Sequence, residues 1–172
     1  MKDVKIDPIA IESNKVLLIG IGNSGRGDDG LGWKFTDMLK RYKFDFLDYE
    51  YRYQLQVEDT VLITTYDTII FADASHAKLE NGFEVKSCTP SNHYFFSSHI
   101  QSPETILYLA NDLYNKQPAA YAVAISGYHW ELKTSLSKEA KKNLQLAFAF
   151  FLNNFLPTIQ PKNISQKDQV AV

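Results

Sequence analysis

Residues 15–32 read KVLLIGIGNSGRGDDGLG. Val16-Leu17-Leu18-Ile19 is a continuous apolar run, the pattern of a strand buried on both faces of a parallel sheet. The run breaks into glycines separated by polar residues, then into the adjacent pair Asp28-Asp29. Leu31, Phe35, Met38, Leu39 and Tyr42 follow at steps of three and four, which marks an amphipathic helix. A buried strand, a glycine-rich bend and a helix form the first half of a βαβ unit. Ligands of such sheets bind beyond the carboxyl ends of the strands.

The chain on either side repeats this grammar. Leu47, Tyr49, Tyr51, Tyr53 and Leu55 alternate with Asp48, Glu50, Arg52 and Gln54, so this strand has one wet face and belongs toward an edge. Residues 57–64 predict a helix of about two turns. TIIFA at 68–72 is a second buried strand ending at Asp73, and residues 83–88 predict another strand. Ser102-Pro103 starts a helix, with serine as N-cap and proline in the first helical position. Residues 120–125 form a third buried strand that closes on Ser126-Gly127. A last helix runs from Ser137 to Phe155, and Pro157 is expected to end it.

The order β-α-β-α-β-β-α-β-α predicts the α/β class: a single-domain three-layer α/β/α sandwich on a mostly parallel, mixed sheet. The expected organisation is a lead-in segment at 1–14, the folded domain at 15–156 and a polar C-terminal tail at 157–172. With 172 residues, 45% of them hydrophobic and 22% charged, the composition is that of one ordinary globular domain. A net charge of −2 leaves no footprint for nucleic acid or an anionic membrane. Cys88 is the only cysteine, so no internal disulfide forms and a reducing compartment fits. Nothing beside it in sequence supplies a base, and it reads as structural rather than nucleophilic. The first residues lack the apolar core of a signal peptide, and no run reaches the ~18–20 apolar residues of a membrane span. A soluble, cytoplasmic protein is expected.

Two chemistries compete for the bend. Gly20, Gly22 and Gly25 spell G-x-G-x-x-G, with Asp48 or Glu50 ~20 residues on, where a dinucleotide-binding fold holds its ribose. That reading makes the chain an NAD(P)-binding oxidoreductase-type domain. Against it, Arg26-Gly27-Asp28-Asp29 delay the helix whose free N–H groups would receive the pyrophosphate. They also set two carboxylates there, at a cost of at least ~1 kcal/mol per close pair of like charges in water. The competing reading takes Asp28 and Asp29 as working carboxylates, although either also suits the positive end of the helix dipole. Asp73 ends the next buried strand, and His99 precedes the Ser102 helix. Two carboxylates and one imidazole at the mouth of a sheet suit a divalent ion; His76, His93 and His129 are rivals to His99. The glycines let the backbone approach a bound substrate closely, which makes Gly22, Asn23, Gly25 and Gly27 candidate substrate contacts.

GIGNSGRGDDGLG at 20–32, ADAS at 72–75 and SSH at 97–99 ahead of a leucine-rich helix resemble the hydrogenase maturation protease family, in order and over roughly residues 15–155. The resemblance implies an α/β endopeptidase that removes the C-terminal extension of a nickel–iron hydrogenase large-subunit precursor once nickel is in place. It implies that Asp29, Asp73 and His99 bind the metal, the first position being often glutamate in the family. Asp29, with Asp28 beside it, is then the catalytic candidate of an aspartic-type or metal-assisted peptidase. No cofactor of the chain's own is implied; nickel arrives with the substrate, and a monomer is expected. Two segments depart from the family pattern, Tyr53–Glu58 and Gly127–Glu131, and both bear on which substrate is taken. A non-catalytic hydrogenase assembly factor is the remaining class.

Overall fold

Strand β1 (Val16–Ile21) is buried along its whole length because helices cover both faces of the sheet. In this computed structural model residues 15–91 and 101–159 are described. The side chains of β1 divide with the strand period of two. Val16 and Leu18 join one apolar cluster, and Leu17, Ile19 and Ile21 join the other. Strand β3 (Thr68–Ser75) divides alike, with Ile70 and Ala72 on the first side and Ile69 and Phe71 on the second.

The other strands are β2 (Leu47–Arg52), β4 (Phe83–Ser87) and β5 (Ala119–Ser126). The sheet order is β2-β1-β3-β5-β4. All neighbours are parallel except β4, which runs antiparallel to β5 at one edge. β2 forms the other edge, as its alternating pattern predicts. Helix α1 (Leu31–Lys40) and α4 (Lys138–Phe150) supply Phe35, Leu39 and Leu144 to the first cluster. Helix α2 (Asp59–Ile63) and α3 (Pro103–Tyr114) supply Ile63, Ile106 and Leu107 to the second. The result is the expected three-layer α/β/α arrangement. Fully buried Phe35 meets Phe151 edge-on at 5.2 Å and 89°, and its truncation to alanine carries a cost of about 3–5 kcal/mol.

From β1 the chain moves first to β2 on one side and then to β3 on the other. β1 and β3 therefore flank a topological switch point, where the crevice at the carboxyl ends of the strands opens. The bend after β1 and the end of β3 both lie there.

Two boundaries differ from the sequence reading. β3 continues through Asp73 to Ser75, so Asp73 is held by the sheet ladder rather than by a loop. The last helix does not stop before Pro157. It widens into a π-helical turn at Phe151–Phe155 and continues as α5 (Leu156–Ile159). Proline lacks an N–H and crowds the carbonyl four residues back, and a wider turn just ahead of it relieves both demands. Leu156 and Ile159 are in the core, so the start expected for the polar tail still belongs to the domain. The lead-in at 1–14, residues 160–172, and His93 and His99 lie outside the described residues.

Candidate active site

The bend after β1 is packed against itself. Gly22 adopts φ 127°, and a side chain on it would overlap the main-chain carbonyl of Asp29. Its N–H donates to the Arg52 carbonyl at 3.0 Å, and Asn23 N–H donates to the Asp29 carbonyl at 3.1 Å. The Asn23 side chain accepts from Gly25 N–H at 2.8 Å. A 3-10 turn over Gly27–Gly30 then leads into α1, and Gly27 at φ 56° packs on the His129 carbonyl. The glycines thus serve close internal packing rather than a loose bend. Among the expected substrate contacts, Asn23 and Gly25 keep partly exposed surface, whereas Gly22 and Gly27 are buried. Those two turn their α-carbons to this chain's own backbone. The chain enters α1 only after the 3-10 turn at Gly27–Gly30, so the helix start stands away from the G-x-G-x-x-G glycines.

Asp29 is partly exposed at this switch point, and Asp73 stands across from it at the end of β3. The register that pairs Gly20 with Ala72 sets the two strand ends side by side. Asp73 accepts the N–H of Ala74 at 2.7 Å. Burial, and then the nearby charge of Asp29, push its pKa up to about 6 despite that hydrogen bond. Two carboxylates from segments far apart in sequence therefore share one field.

Asp28 faces the opposite way and has no exposed surface. Its Oδ2 accepts from Tyr128 N–H at 2.8 Å, His129 N–H at 3.0 Å and the Ser137 hydroxyl at 2.7 Å. Its Oδ1 accepts from Ser137 N–H at 2.7 Å. Burial alone would raise its pKa, but these donors outweigh it and hold the group below its ordinary value of 3.8. A buried carboxylate already committed to four donors suits it to fixing a neighbouring segment. Its four donors leave it without a free oxygen face toward solvent, which sets it apart from the partly exposed Asp29.

No protein-family model and no curated protein matches the sequence. Solved structures do. The hydrogenase maturating endopeptidase HybD from E. coli superposes with a TM-score of 0.64 at 15% identity, over 80% of this chain and 90% of that one. The NiFe hydrogenase maturation protease HycI from Thermococcus kodakarensis gives a TM-score of 0.62 at 19% identity, with the same coverage. HybD from Thermococcus kodakarensis gives 0.53 at 22%, over 79% of this chain and 95% of that one. The chain has the hydrogenase maturation protease fold.

In this maturation protease fold, Asp29 and Asp73 meet where the α/β switch point opens. Among the described residues no group of three or more His, Cys, Asp or Glu side chains is arranged to hold a metal ion; His99 is not among them. Of the rival histidines, His76 stacks on Trp130 with ring centroids 3.6 Å apart at 22°. His129 Nδ1 lies 3.5 Å from Glu131 Oε1. Sequence reasoning missed Ser137 as a partner of Asp28. The segment Gly127–Glu131, singled out in the sequence, is tied by its main chain to Asp28, and Lys133 beyond it to Gly25 and Gly27. Ser137 is legible as a helix N-cap, but nothing local in the sequence links it to a carboxylate 109 residues earlier.

Proposed function

We propose that the chain is an endopeptidase that removes the C-terminal extension of a nickel–iron hydrogenase large-subunit precursor after metal insertion. The observation that carries this reading is the meeting of Asp29 and Asp73 at the switch point of a fold shared with hydrogenase maturation endopeptidases. Carboxylate oxygens are hard donors suited to a divalent ion, and a pair of them in one field is relieved by a cation between them. In this reading the ion is the substrate's own nickel. Asp29 and Asp73, completed by His99, engage it and so align the scissile bond. A substrate-borne ion polarises a carbonyl or acidifies a water. Asp29 takes a proton from the attacking water. Asp28 stays outside this chemistry.

The test is to incubate the purified chain with nickel-loaded and metal-free precursor and follow the C-terminal clip by mass spectrometry. The proposal expects clipping of the loaded form only, and its loss in Asp29→Ala and Asp73→Ala. Unchanged clipping by either variant overturns the site. Equal clipping of both precursor forms removes nickel from recognition. Binding without any clip makes the chain an assembly factor rather than a peptidase.

A further inference from the structure

We propose that Arg52 is a positioning residue for Asp29: its carbonyl oxygen closes the turn that carries Asp29 into a ring, and its guanidinium keeps that oxygen in place. The proposal rests on the peptidase reading above, in which Asp29 is the working carboxylate, and names what holds that carboxylate where it acts.

Arg52 is the last residue of β2, the edge strand, and stands opposite Ile21 in the parallel register with β1. Its carbonyl accepts from Gly22 N–H at 3.0 Å and from Trp33 Nε1 at 3.0 Å, so both lone pairs of one oxygen are engaged. Gly22 opens the bend, Trp33 lies in the first turn of α1, and Asp29 falls between them. The segment from Gly22 to Trp33 therefore begins and ends at a single atom. Inside that ring the Asp29 carbonyl lies against the Gly22 α-carbon and accepts from Asn23 N–H at 3.1 Å. A shift of the Arg52 carbonyl passes to the Asp29 main chain through these contacts.

The end of an edge strand has a strand neighbour on one side only, and such ends open at little cost. Arg52 is instead anchored toward both layers of helices. On the α1 side, Tyr51 and Tyr53 flank it and pack on the Trp33 indole, at 5.6 Å edge-on and 5.1 Å tilted. The Arg52 side chain goes to the opposite face, with Glu50, as the strand period of two requires. There Nε donates to Asp59 Oδ1 and Nη1 to Glu50 Oε2, each at 2.7 Å. Nη1 also donates to the Tyr51 carbonyl at 2.9 Å. Asp59 opens α2 and is 4% exposed, and its other oxygen accepts from Gln56 N–H at 3.0 Å. A carboxylate buried that deeply needs its cation, so this is more than a surface ion pair. The planar guanidinium serves Asp59 and Glu50 at once, which an ammonium on a flexible stem does less well.

Arg52→Met, Arg52→Lys and Trp33→Phe test this by precursor cleavage and by hydrogen exchange of the free protein. The two indole N–H signals are told apart with Trp130→Phe. Arg52→Met is expected to speed exchange of the Gly22 amide and the Trp33 indole about tenfold while β3 and β5 keep their protection. Its kcat is expected to fall about tenfold with KM nearly unchanged, the mark of lost alignment rather than lost binding. Arg52→Lys keeps the charge beside Asp59 and is expected to recover part of both. Trp33→Phe removes one donor from the Arg52 carbonyl and leaves Asp59 paired, so it carries the test if Arg52→Met does not fold. It is expected to lower kcat severalfold, again with KM nearly unchanged.

Unchanged exchange at Gly22 and Trp33 in folded Arg52→Met overturns the anchoring by the guanidinium. Wild-type kcat in Trp33→Phe, or in an Arg52→Met chain that has released both groups, overturns the positioning of Asp29 while the peptidase reading stands. A wild-type chain that clips no precursor ends the peptidase reading itself, and the positioning role with it.

Discussion

The carbonyl oxygen of Asp29 lies against the α-carbon of Gly22, in the space a side chain would occupy. With φ at 127°, Gly22 is also in a region closed to most side chains. Gly22→Ala is therefore expected to lose roughly 2–4 kcal/mol, from backbone strain and overpacking together. Urea denaturation measures it. A variant within about 0.5 kcal/mol of wild type, the range of ordinary surface substitutions, would contradict the packed turn. NAD(P) titration is expected to show no saturable binding to either protein.

Asp28 makes an acid-sensitive contribution. Its folded pKa is held below 3.8, so the stability it contributes is present above that value and lost as pH falls through the folded pKa. Asp28→Asn leaves one oxygen acceptor and sets an amide NH2 against N–H donors. Its expected cost at pH 7 is roughly 2–4 kcal/mol, in the range for breaking a buried, charge-assisted set of hydrogen bonds. Thermal melts from pH 7 to 3 should show the deficit shrinking below pH 4, where wild type also loses the contribution. A deficit that grows toward low pH would refute the assignment.

Asp73 behaves in the opposite sense. Its pKa is pushed from 3.8 up to about 6 in the folded chain. The associated stability is present below 3.8 and lost as pH rises through about 6, because the ionised form is buried beside Asp29. Asp73→Asn should then be more stable than wild type at pH 8, by at most about 3 kcal/mol, with no gain at pH 4. The same variant should not clip precursor. A neutral variant that melts earlier than wild type at pH 8 would remove the electrostatic strain from the account.

Cys88 is 8% exposed, and burial, followed by the charge of Glu104, pushes its thiol up to about 11. Thiolates, not thiols, react with alkylating agents. Iodoacetamide at pH 8 should label the native chain far more slowly than the urea-unfolded chain, and Cys88→Ala should still clip precursor. Rapid native labelling would show the thiol to be accessible.

Asp29 and Asp28 should separate cleanly in one further comparison. Asp29→Ala removes a partly exposed carboxylate, so its stability should stay within about 0.5 kcal/mol of wild type, as for most surface substitutions. Clipping should be abolished. Circular dichroism melts beside the cleavage assay check both halves, and a large drop in melting temperature would give Asp29 a structural part as well.

Much of the fold was legible because its signals are local. The apolar run at Val16–Ile19, the alternation at Leu47–Leu55 and the Ser102-Pro103 cap each act within one segment, through period, propensity or capping. They predicted the elements, the α/β layers and the edge position of β2. The Pro157 boundary failed because a π-helical turn absorbed the proline, and Leu156 and Ile159 gained more from the core than the local break cost. That balance depends on what packs nearby.

The sequence by itself determined that an acidic pair follows the first buried strand and that Asp73 closes another. It did not separate Asp28 from Asp29, since both are carboxylates in the same turn with the same helix dipole. Tertiary structure decided that. Successive side chains of the Gly27–Gly30 turn point in different directions, and the neighbours waiting there come from distant segments. One aspartate meets the N–H groups of Tyr128, His129 and Ser137 and is buried as a clamp. The other meets the open switch point beside Asp73.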